Sequence, residues 1–284
     1  MKLFCVLILC IIIISCTSSK TDTRVPSFRS GSQGLSLQIL PQYPPKEIPE
    51  KSSFRIAVKV QNLGAFDTGA SELDILGLND AWVPLEHSDV KMTSLRGRSI
   101  DAPEGDFSVY EFNGQNVALP PSVSEYRSKF WVVARYDYET IAQTDVCINP
   151  EMIALQKQLS SCTVKPSQSL GSQGAPVSIS RLDETIIPTL EGVSLEFTIT
   201  INNVGNGEIV SPVLIDEIKL ANRRMACSST SIKPEDIKAG KNKVVCRMSE
   251  PNKGVYSTPF SATIHYTYST KIPGEFMIRR LPMK

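Results

Sequence analysis

Histidine, the side chain that titrates closest to neutral pH, is rare in this 284-residue sequence. It contains two histidines, His87 and His265, which lie 178 positions apart. His87 has Glu86 and Asp89 nearby and could pair with a carboxylate, although a solvated loop explains the same residues. His265 falls in an aromatic, alternating segment, which is typical of a packed or surface residue of a strand. Neither histidine predicts a catalytic site.

The usual motifs of nucleophilic, metal-dependent and phosphate chemistry are absent from the sequence. There is no Gly-x-Ser-x-Gly, His-Glu-x-x-His, Gly-x-Gly-x-x-Gly or P-loop string. The acidic segment with Asp101, Glu104 and Asp106 offers oxygen ligands for Ca²⁺, but an exposed loop explains it as well. We therefore expect a protein that is not an enzyme and that holds neither a metal ion nor a cofactor.

Four aromatic residues are the candidates for ligand binding. Trp82, Trp131, Tyr136 and Tyr138 could form a platform on which a sugar ring stacks. Aromatic residues that alternate along a strand also commonly face a hydrophobic core, so the same pattern is compatible with a packing role. Both interpretations stay open at the level of sequence.

Four cysteines follow the N-terminal segment: Cys147, Cys162, Cys227 and Cys246. They allow three pairings, of which Cys147–Cys162 with Cys227–Cys246 closes two short loops. Each bond would contribute about 3 kcal/mol through the lost entropy of the unfolded chain. Four free buried thiols are the alternative, and a zinc site is disfavoured because neither spacing is that of a zinc motif.

The N-terminus has the layout of a secretory signal peptide over residues 1–15. Lys2 precedes twelve apolar residues, Leu3 to Ile14, which are too few to cross a bilayer as a helix. The end of this run, with Cys16, resembles the lipobox of prokaryotic lipoproteins. That resemblance implies that Cys16 carries diacylglycerol and becomes the new N-terminus; an ordinary cleaved signal is the alternative. Residues 16–34 have no periodic apolar pattern and predict a flexible tether.

The overall charge gives no sign of a nucleic-acid partner. Lys and Arg number 30 against 29 Asp and Glu, and removal of Lys2 with the leader leaves 29 against 29. Hydrophobic residues make up 41% of the chain, which is typical of a folded protein and excludes intrinsic disorder. The expected partners are a membrane, through the lipid anchor, and envelope proteins or a glycan.

The body of the sequence contains an internal repeat. Residues 54–64 (FRIAVKVQNLG) match residues 195–205 (LEFTITINNVG) 141 positions later, and both alternate apolar with polar residues before an Asn-x-Gly turn. The string GSQG occurs at 31–34 and again at 171–174. Aromatic strands follow at 130–138 and 260–268, so two diverged copies of one β-module are predicted.

These patterns predict an all-β protein with two tandem immunoglobulin-like β-sandwiches. We expect the first sandwich at 35–162, a linker at 163–175 and the second sandwich at 176–284. One short helix is predicted near the end of the first sandwich, starting at Pro150 with Asn149 as its N-cap. Residues 130–138 and 139–146 are expected to form separate strands, and residues 233–236 a turn.

The strand Val-x-Val-x-Asn-x-Gly resembles the CARDB-type and Ig-like modules of prokaryotic cell-envelope proteins. The matching residues are Val58, Val60, Asn62, Gly64, and in the second copy Ile199, Ile201, Asn203, Gly205. The resemblance implies an extracytoplasmic structural or adhesion-like module without an active site. A carbohydrate-binding module that uses the aromatic residues of the first copy is the alternative function.

Overall fold

The computed structural model describes residues 28–149, 162–190, 192–251 and 254–280. Within those ranges the chain is all-β apart from one short helix. The strands of the first half are β1 (Leu35–Ile39), β2 (Glu47–Pro49), β3 (Phe54–Asn62), β4 (Ser71–Leu76), β5 (Asp89–Lys91), β6 (Phe107–Gly114) and β7 (Glu125–Ile148). The elements of the second half are β8 (Ser167–Ser169), β9 (Val177–Pro188), β10 (Val193–Asn203), β11 (Glu208–Ile209), β12 (Val213–Leu220), β13 (Arg223–Arg224), β14 (Ala226–Cys227), β15 (Ser231–Ile232), α1 (Pro234–Lys238), β16 (Lys243–Glu250) and β17 (Tyr256–Arg279).

Two strands of 24 residues each, β7 and β17, form the centre of the molecule. They pair antiparallel along their whole length, from Glu125 opposite Arg279 to Ile148 opposite Tyr256. In both strands most even-numbered side chains are buried and most odd-numbered ones face outward, which is the period of a strand with one face on a core. This ribbon belongs to a nine-stranded sheet with the main order β13-β12-β17-β7-β4-β5.

A smaller sheet packs on each half of this ribbon. The three-stranded sheet β1-β3-β6 contacts β17 through Phe54 and Phe276, whose ring centroids are 5.1 Å apart. The five-stranded sheet β14-β16-β10-β9-β8 contacts the other end of β17 through Phe197 and Phe260, at 5.3 Å. The buried side chains form one continuous hydrophobic core. The two halves predicted from the repeat therefore share their central sheet.

The long strands differ from the predicted segmentation. Residues 130–138 and 139–146 are parts of the one strand β7, and β17 continues through Pro259 and Pro273. Both prolines lie at odd-numbered positions of β17, where the backbone N–H and carbonyl groups point away from β7. At Thr267, another odd-numbered position, the carbonyl accepts a hydrogen bond from the Val210 N–H. A proline there removes no hydrogen bond to β7, so it does not interrupt the strand.

Three local elements also differ from expectation or lie outside the described residues. The expected linker contains β8, which pairs with β9. Residues 233–236, predicted as a turn, are the N-cap and first turn of α1, with Pro234 at its start and the acidic Glu235 and Asp236 after it. The leader, Cys16 and the helix expected from Pro150 lie outside the described residues.

The end of the predicted tether is held against the second half of the chain. The Gly31 N–H donates to Ser172 Oγ at 3.0 Å, and the Gly174 N–H donates to the Gly31 carbonyl at 3.0 Å. The two GSQG strings therefore contact each other. Gly31, within the predicted tether, therefore packs against the second repeat.

Both disulfide bonds of the within-module pairing are present. Cys147 is bonded to Cys162 and Cys227 to Cys246, at sequence separations of 15 and 19. The second bond joins the neighbouring strands β14 and β16. Two structural disulfides indicate folding in an oxidising, extracytoplasmic environment. Among the described residues, no helix is long and apolar enough to cross a membrane.

Candidate interaction surface

Two of the four aromatic residues proposed as a sugar platform are buried. Tyr136 is 1% exposed and Tyr138 is 3% exposed, and both face the core from β7. They lie opposite Tyr268 and Tyr266 of β17, at the midpoint of the ribbon. Their rings meet edge to face, with centroids 6.0 and 6.4 Å apart. The expectation that Tyr136 and Tyr138 stack on a ligand is therefore corrected, because neither ring is accessible.

The hydroxyls of this tyrosine cluster (Tyr136, Tyr138, Tyr266, Tyr268) are used inside the protein. Tyr136 Oη accepts from the Leu35 N–H at 3.0 Å. Tyr138 Oη accepts from the Phe66 N–H and donates to Asn62 Oδ1, both at 3.2 Å. Desolvation raises the pKa of both tyrosines well above the ordinary value, so both hydroxyls stay protonated.

The second repeat makes the same contacts. Tyr268 Oη donates to Asn203 Oδ1 at 2.9 Å and accepts from the Gly207 N–H at 2.8 Å. Tyr266 Oη accepts from the Val177 N–H at 3.4 Å. Each Asn-x-Gly turn of the repeat is therefore fixed by a tyrosine of the central ribbon. The repeated sequence motif has a structural role.

The accessible aromatic residue is Trp131, which lies on the outer face of the nine-stranded sheet. It is 44% exposed, and its cross-strand neighbour Leu76 on β4 is 49% exposed. The Lys271 ammonium group lies 5.3 Å from the centroid of the indole ring, within cation–π distance. Val133 and Pro273 are the adjoining outward residues. We call these five residues the Trp131 surface.

Two shallow cavities adjoin the indole ring. One, of about 300 Å³, combines the apolar side chains of Leu76, Trp131 and Val133 with polar groups contributed by the second repeat. Those polar residues are Asn206, Glu208, Ser269 and Lys271. The other cavity, of about 390 Å³, lies between Trp131 and Pro273. An apolar surface with a few convergent polar groups is typical of a binding site.

Trp82 is separate from this surface. Its side chain is half-buried and packs against the core from the loop after β4. It lines neither of the cavities that Trp131 lines. Of the four aromatic residues predicted to bind, Trp131 is therefore the one that the fold presents to solvent together with other binding groups.

Ion pairs border the Trp131 surface on the β4 side. Arg135 Nη2 lies 2.7 Å from Asp74 Oδ2 and 3.2 Å from Glu72 Oε2. Burial raises the pKa of Asp74, and the guanidinium of Arg135 acts against that rise. Arg135 and its two carboxylate partners thus form a charged border to the Trp131 surface.

His265 and Asp106 of the acidic loop each lie beside another ionisable side chain. His265 Nε2 lies 3.7 Å from Asp216 and 4.0 Å from Glu139, in an open cavity of about 560 Å³ on the outer face. The guanidinium of Arg96 binds Asp106 at 2.8 Å and lowers the pKa of that carboxyl. His87 is exposed. Within the described residues no three metal-ligating side chains come together.

Sequence reasoning identified Trp131 but missed the residues that complete its surface. Lys271 comes from the second repeat, 140 positions away, and the pairing of β7 with β17 brings it to the ring. One signal was available in β7 itself: Trp131 lies at an odd-numbered position, as do the charged residues Arg127, Lys129 and Arg135. Because alternate side chains of a strand point to opposite faces, this position predicts that the indole faces solvent. The even-numbered tyrosines are then predicted to face the core.

Comparisons with known proteins add little to this picture. No family model matches the sequence, and no curated protein matches it. Among solved structures, the crystal structure of the YadV chaperone is similar at 9% identity and a TM-score of 0.20. The match covers 86% of this chain and 98% of that one. A TM-score this low supports no argument about the fold or function of this chain.

Proposed function

We propose that this chain is a lipid-anchored, extracytoplasmic protein-interaction module of the cell envelope, built from two related Ig-like β-sandwiches around a shared ribbon. The Trp131 surface carries the proposal. It combines a half-exposed indole, an exposed leucine and a lysine on a rigid sheet face. Tryptophan is enriched at protein interfaces because it offers a large apolar area and loses little conformational entropy on binding.

The location proposed for this module is supported by two independent features. The leader with Cys16 resembles that of a prokaryotic lipoprotein. The two disulfide bonds indicate an oxidising compartment. A Cys16→Ser variant tests the anchor: its loss from the membrane fraction, with the lipid mass missing from the N-terminal peptide, is the expected result. Unchanged membrane association would contradict the anchor without affecting the Trp131 surface.

The interaction is tested by placing a photo-crosslinking amino acid at position 131 in cells. Ile187, which is 46% exposed, is the matched control position. We expect an adduct of defined mass from position 131 that is absent from position 187 and is lost when Leu76→Glu is added. Identical adducts from both positions would contradict a specific surface.

Carbohydrate binding through Trp131 is the second candidate function. The cavity that contains Trp131, Asn206 and Glu208 offers one aromatic face with polar groups beside it, which suits a sugar ring. The sequence has two tryptophans, so a Trp82→Phe variant reports the fluorescence of Trp131 alone. A saturable fluorescence change with envelope glycan fragments, abolished by Asn206→Ala, would favour this function over protein binding.

A further inference from the structure

Over residues 107–111, the outer strand β6 of the three-stranded sheet has an edge that pairs with no strand among the described residues. β6 spans eight residues and pairs with β3 on one side. The outer strands of the other two sheets, β5, β8, β13 and β14, have two or three residues each. Short outer strands limit pairing between molecules, whereas a longer one without proline favours it.

The backbone of β6 shows which of its groups are available. The Asn62 N–H donates to the Asp106 carbonyl at 2.9 Å, so the even-numbered positions of this segment face β3. The odd positions Phe107, Val109 and Glu111 point their N–H and carbonyl groups to the opposite side. Among the described residues no backbone group bonds them there. The Glu86 N–H, bonded to the Asn113 carbonyl at 2.9 Å, ends this open edge.

Two of these three residues, Phe107 and Val109, give the edge an apolar outer face. Phe107 is 59% exposed and Val109 is 44% exposed. Lys59 Nζ, on β3, lies 4.6 Å from the centroid of the Phe107 ring. Glu111 lies two positions further along the outer face of β6 and has an exposed ion pair with Arg55. A row of alternating exposed side chains beside free backbone groups is the geometry on which another strand adds.

We propose that two copies of this chain pair through β6, antiparallel, about a twofold axis at Val109. In this register Val109 lies opposite Val109 of the second copy, and Phe107 lies opposite Glu111 of the second copy. The three odd positions of each copy then form six backbone hydrogen bonds, and the two three-stranded sheets become one. This inference is independent of the Trp131 surface and goes beyond the proposed function.

The charges favour a second copy as the occupant. Because Lys59 lies over Phe107, the Glu111 carboxylate of the second copy comes next to the Lys59 ammonium group. The twofold axis produces this contact twice, and no like charges stand directly opposite. The register also keeps the pairing within 107–111, clear of the loop that is bonded to Asn113. The edge is therefore complementary to itself in charge.

Sedimentation equilibrium of the purified protein over a concentration series tests the pairing. The wild type should pass from monomer to dimer, and Val109→Pro should need about tenfold more protein to reach the same dimer fraction. The Val109 N–H faces the open edge, so proline leaves the β3–β6 bonds intact. Val109→Thr keeps the N–H and should associate like the wild type. A monomer at every concentration, or equal association of the proline variant, overturns the proposal.

A cysteine at position 109 gives a second measurement that does not depend on the proline variant folding. Residues opposite each other in a bonded antiparallel pair have Cα atoms about 5.5 Å apart, which a disulfide can bridge. Val109→Cys should form a dimer under mild oxidation, with a disulfide between the two introduced cysteines identified by mass spectrometry of the linked peptide. Val210→Cys, at 48% exposure, is the matched control and should not. Equal trapping at both positions overturns the register.

Discussion

The hydroxyl of Tyr138 donates a hydrogen bond to the Oδ1 atom of Asn62 over 3.2 Å. Tyr138 lies at the midpoint of β7, and Asn62 ends β3 at the Asn-x-Gly turn. Asn62 is fully buried, and its amide also donates to the carbonyls of Phe66 and Leu95 at 2.7 and 2.9 Å. This one contact therefore ties the central ribbon to the turn of the first repeat. All three hydrogen bonds are buried.

Removing the Tyr138 hydroxyl should destabilise the protein. Tyr138→Phe deletes the donor to Asn62 and the acceptor of the Phe66 N–H, and it leaves both partners buried. We expect a loss of about 2 kcal/mol in the free energy of unfolding, measured with urea. Tyr126→Phe on the same strand is the control, since the described residues include no hydrogen bond to the Tyr126 hydroxyl. Similar losses in both variants would contradict the role assigned to this bond.

The repeat could be recognised in the sequence, but the contacts that its asparagines make could not be predicted from it. Alternation in residues 54–64 and 195–205 correctly predicted β3 and β10, because each lies inside its sheet and buries one face. It could not reveal that Asn62 and Asn203 accept hydrogen bonds from tyrosine hydroxyls. Each of those contacts joins residues more than 60 positions apart in the sequence, so it depends on how the sheets pack.

The length of β7 and β17 was also beyond local sequence rules. Strands usually have about five or six residues, so the polar stretch after Tyr138 predicts a new strand. The outward positions of that stretch, such as Gln143 and Asp145, are polar because they face solvent, while Ala142 and Val146 stay buried. The long ribbon exists because both partners continue the same alternation. No single segment of the sequence shows this.

The two asparagines of the repeat provide a matched pair of substitutions. Asn62→Asp replaces an amide that donates to two carbonyls with a carboxylate that would repel them, in a fully buried position. Asn203→Asp makes the same change at an exposed position, where Nδ2 donates to the Gly207 carbonyl. We expect a loss of stability of about 3 kcal/mol at pH 7 for the first variant and about 1 kcal/mol for the second. Equal losses in thermal or urea unfolding would contradict the difference in burial.

Glu184 predicts a pH dependence of stability. The residue is 7% exposed, and neither of its buried carboxylate oxygens has a hydrogen-bond partner within the described part of the chain. Desolvation raises its pKa from the ordinary 4.5 to about 7. Between these values the folded chain keeps a proton that the unfolded chain has lost. The contribution of Glu184 to stability is therefore fully present below pH 4.5 and is lost as the pH rises to about 7.

Glu184→Gln should consequently stabilise the protein at pH 8 by about 2 kcal/mol and change it little at pH 4.5. The measurement is the urea midpoint of variant and wild type across this pH range. Glu104→Gln, at an exposed site, is the control and should give a difference that does not vary with pH. A pH-independent effect of Glu184→Gln would show that the carboxylate is not desolvated.

Gly64 follows Asn62 in the turn, and its lack of a side chain is what lets Tyr138 approach. A Cβ atom at this position would collide with Tyr138 Oη and lie 2.6 and 2.8 Å from the Gln33 and Gly174 carbonyl oxygens. Gly64→Ala should therefore destabilise the protein by about 3 kcal/mol in urea unfolding, because backbone atoms must move. The Tyr138→Phe variant removes one of the colliding atoms. In that background Gly64→Ala should cost at least about 1 kcal/mol less, a coupling that a double-mutant cycle measures. Additive losses would mean that the Tyr138 hydroxyl does not set the need for glycine at this turn.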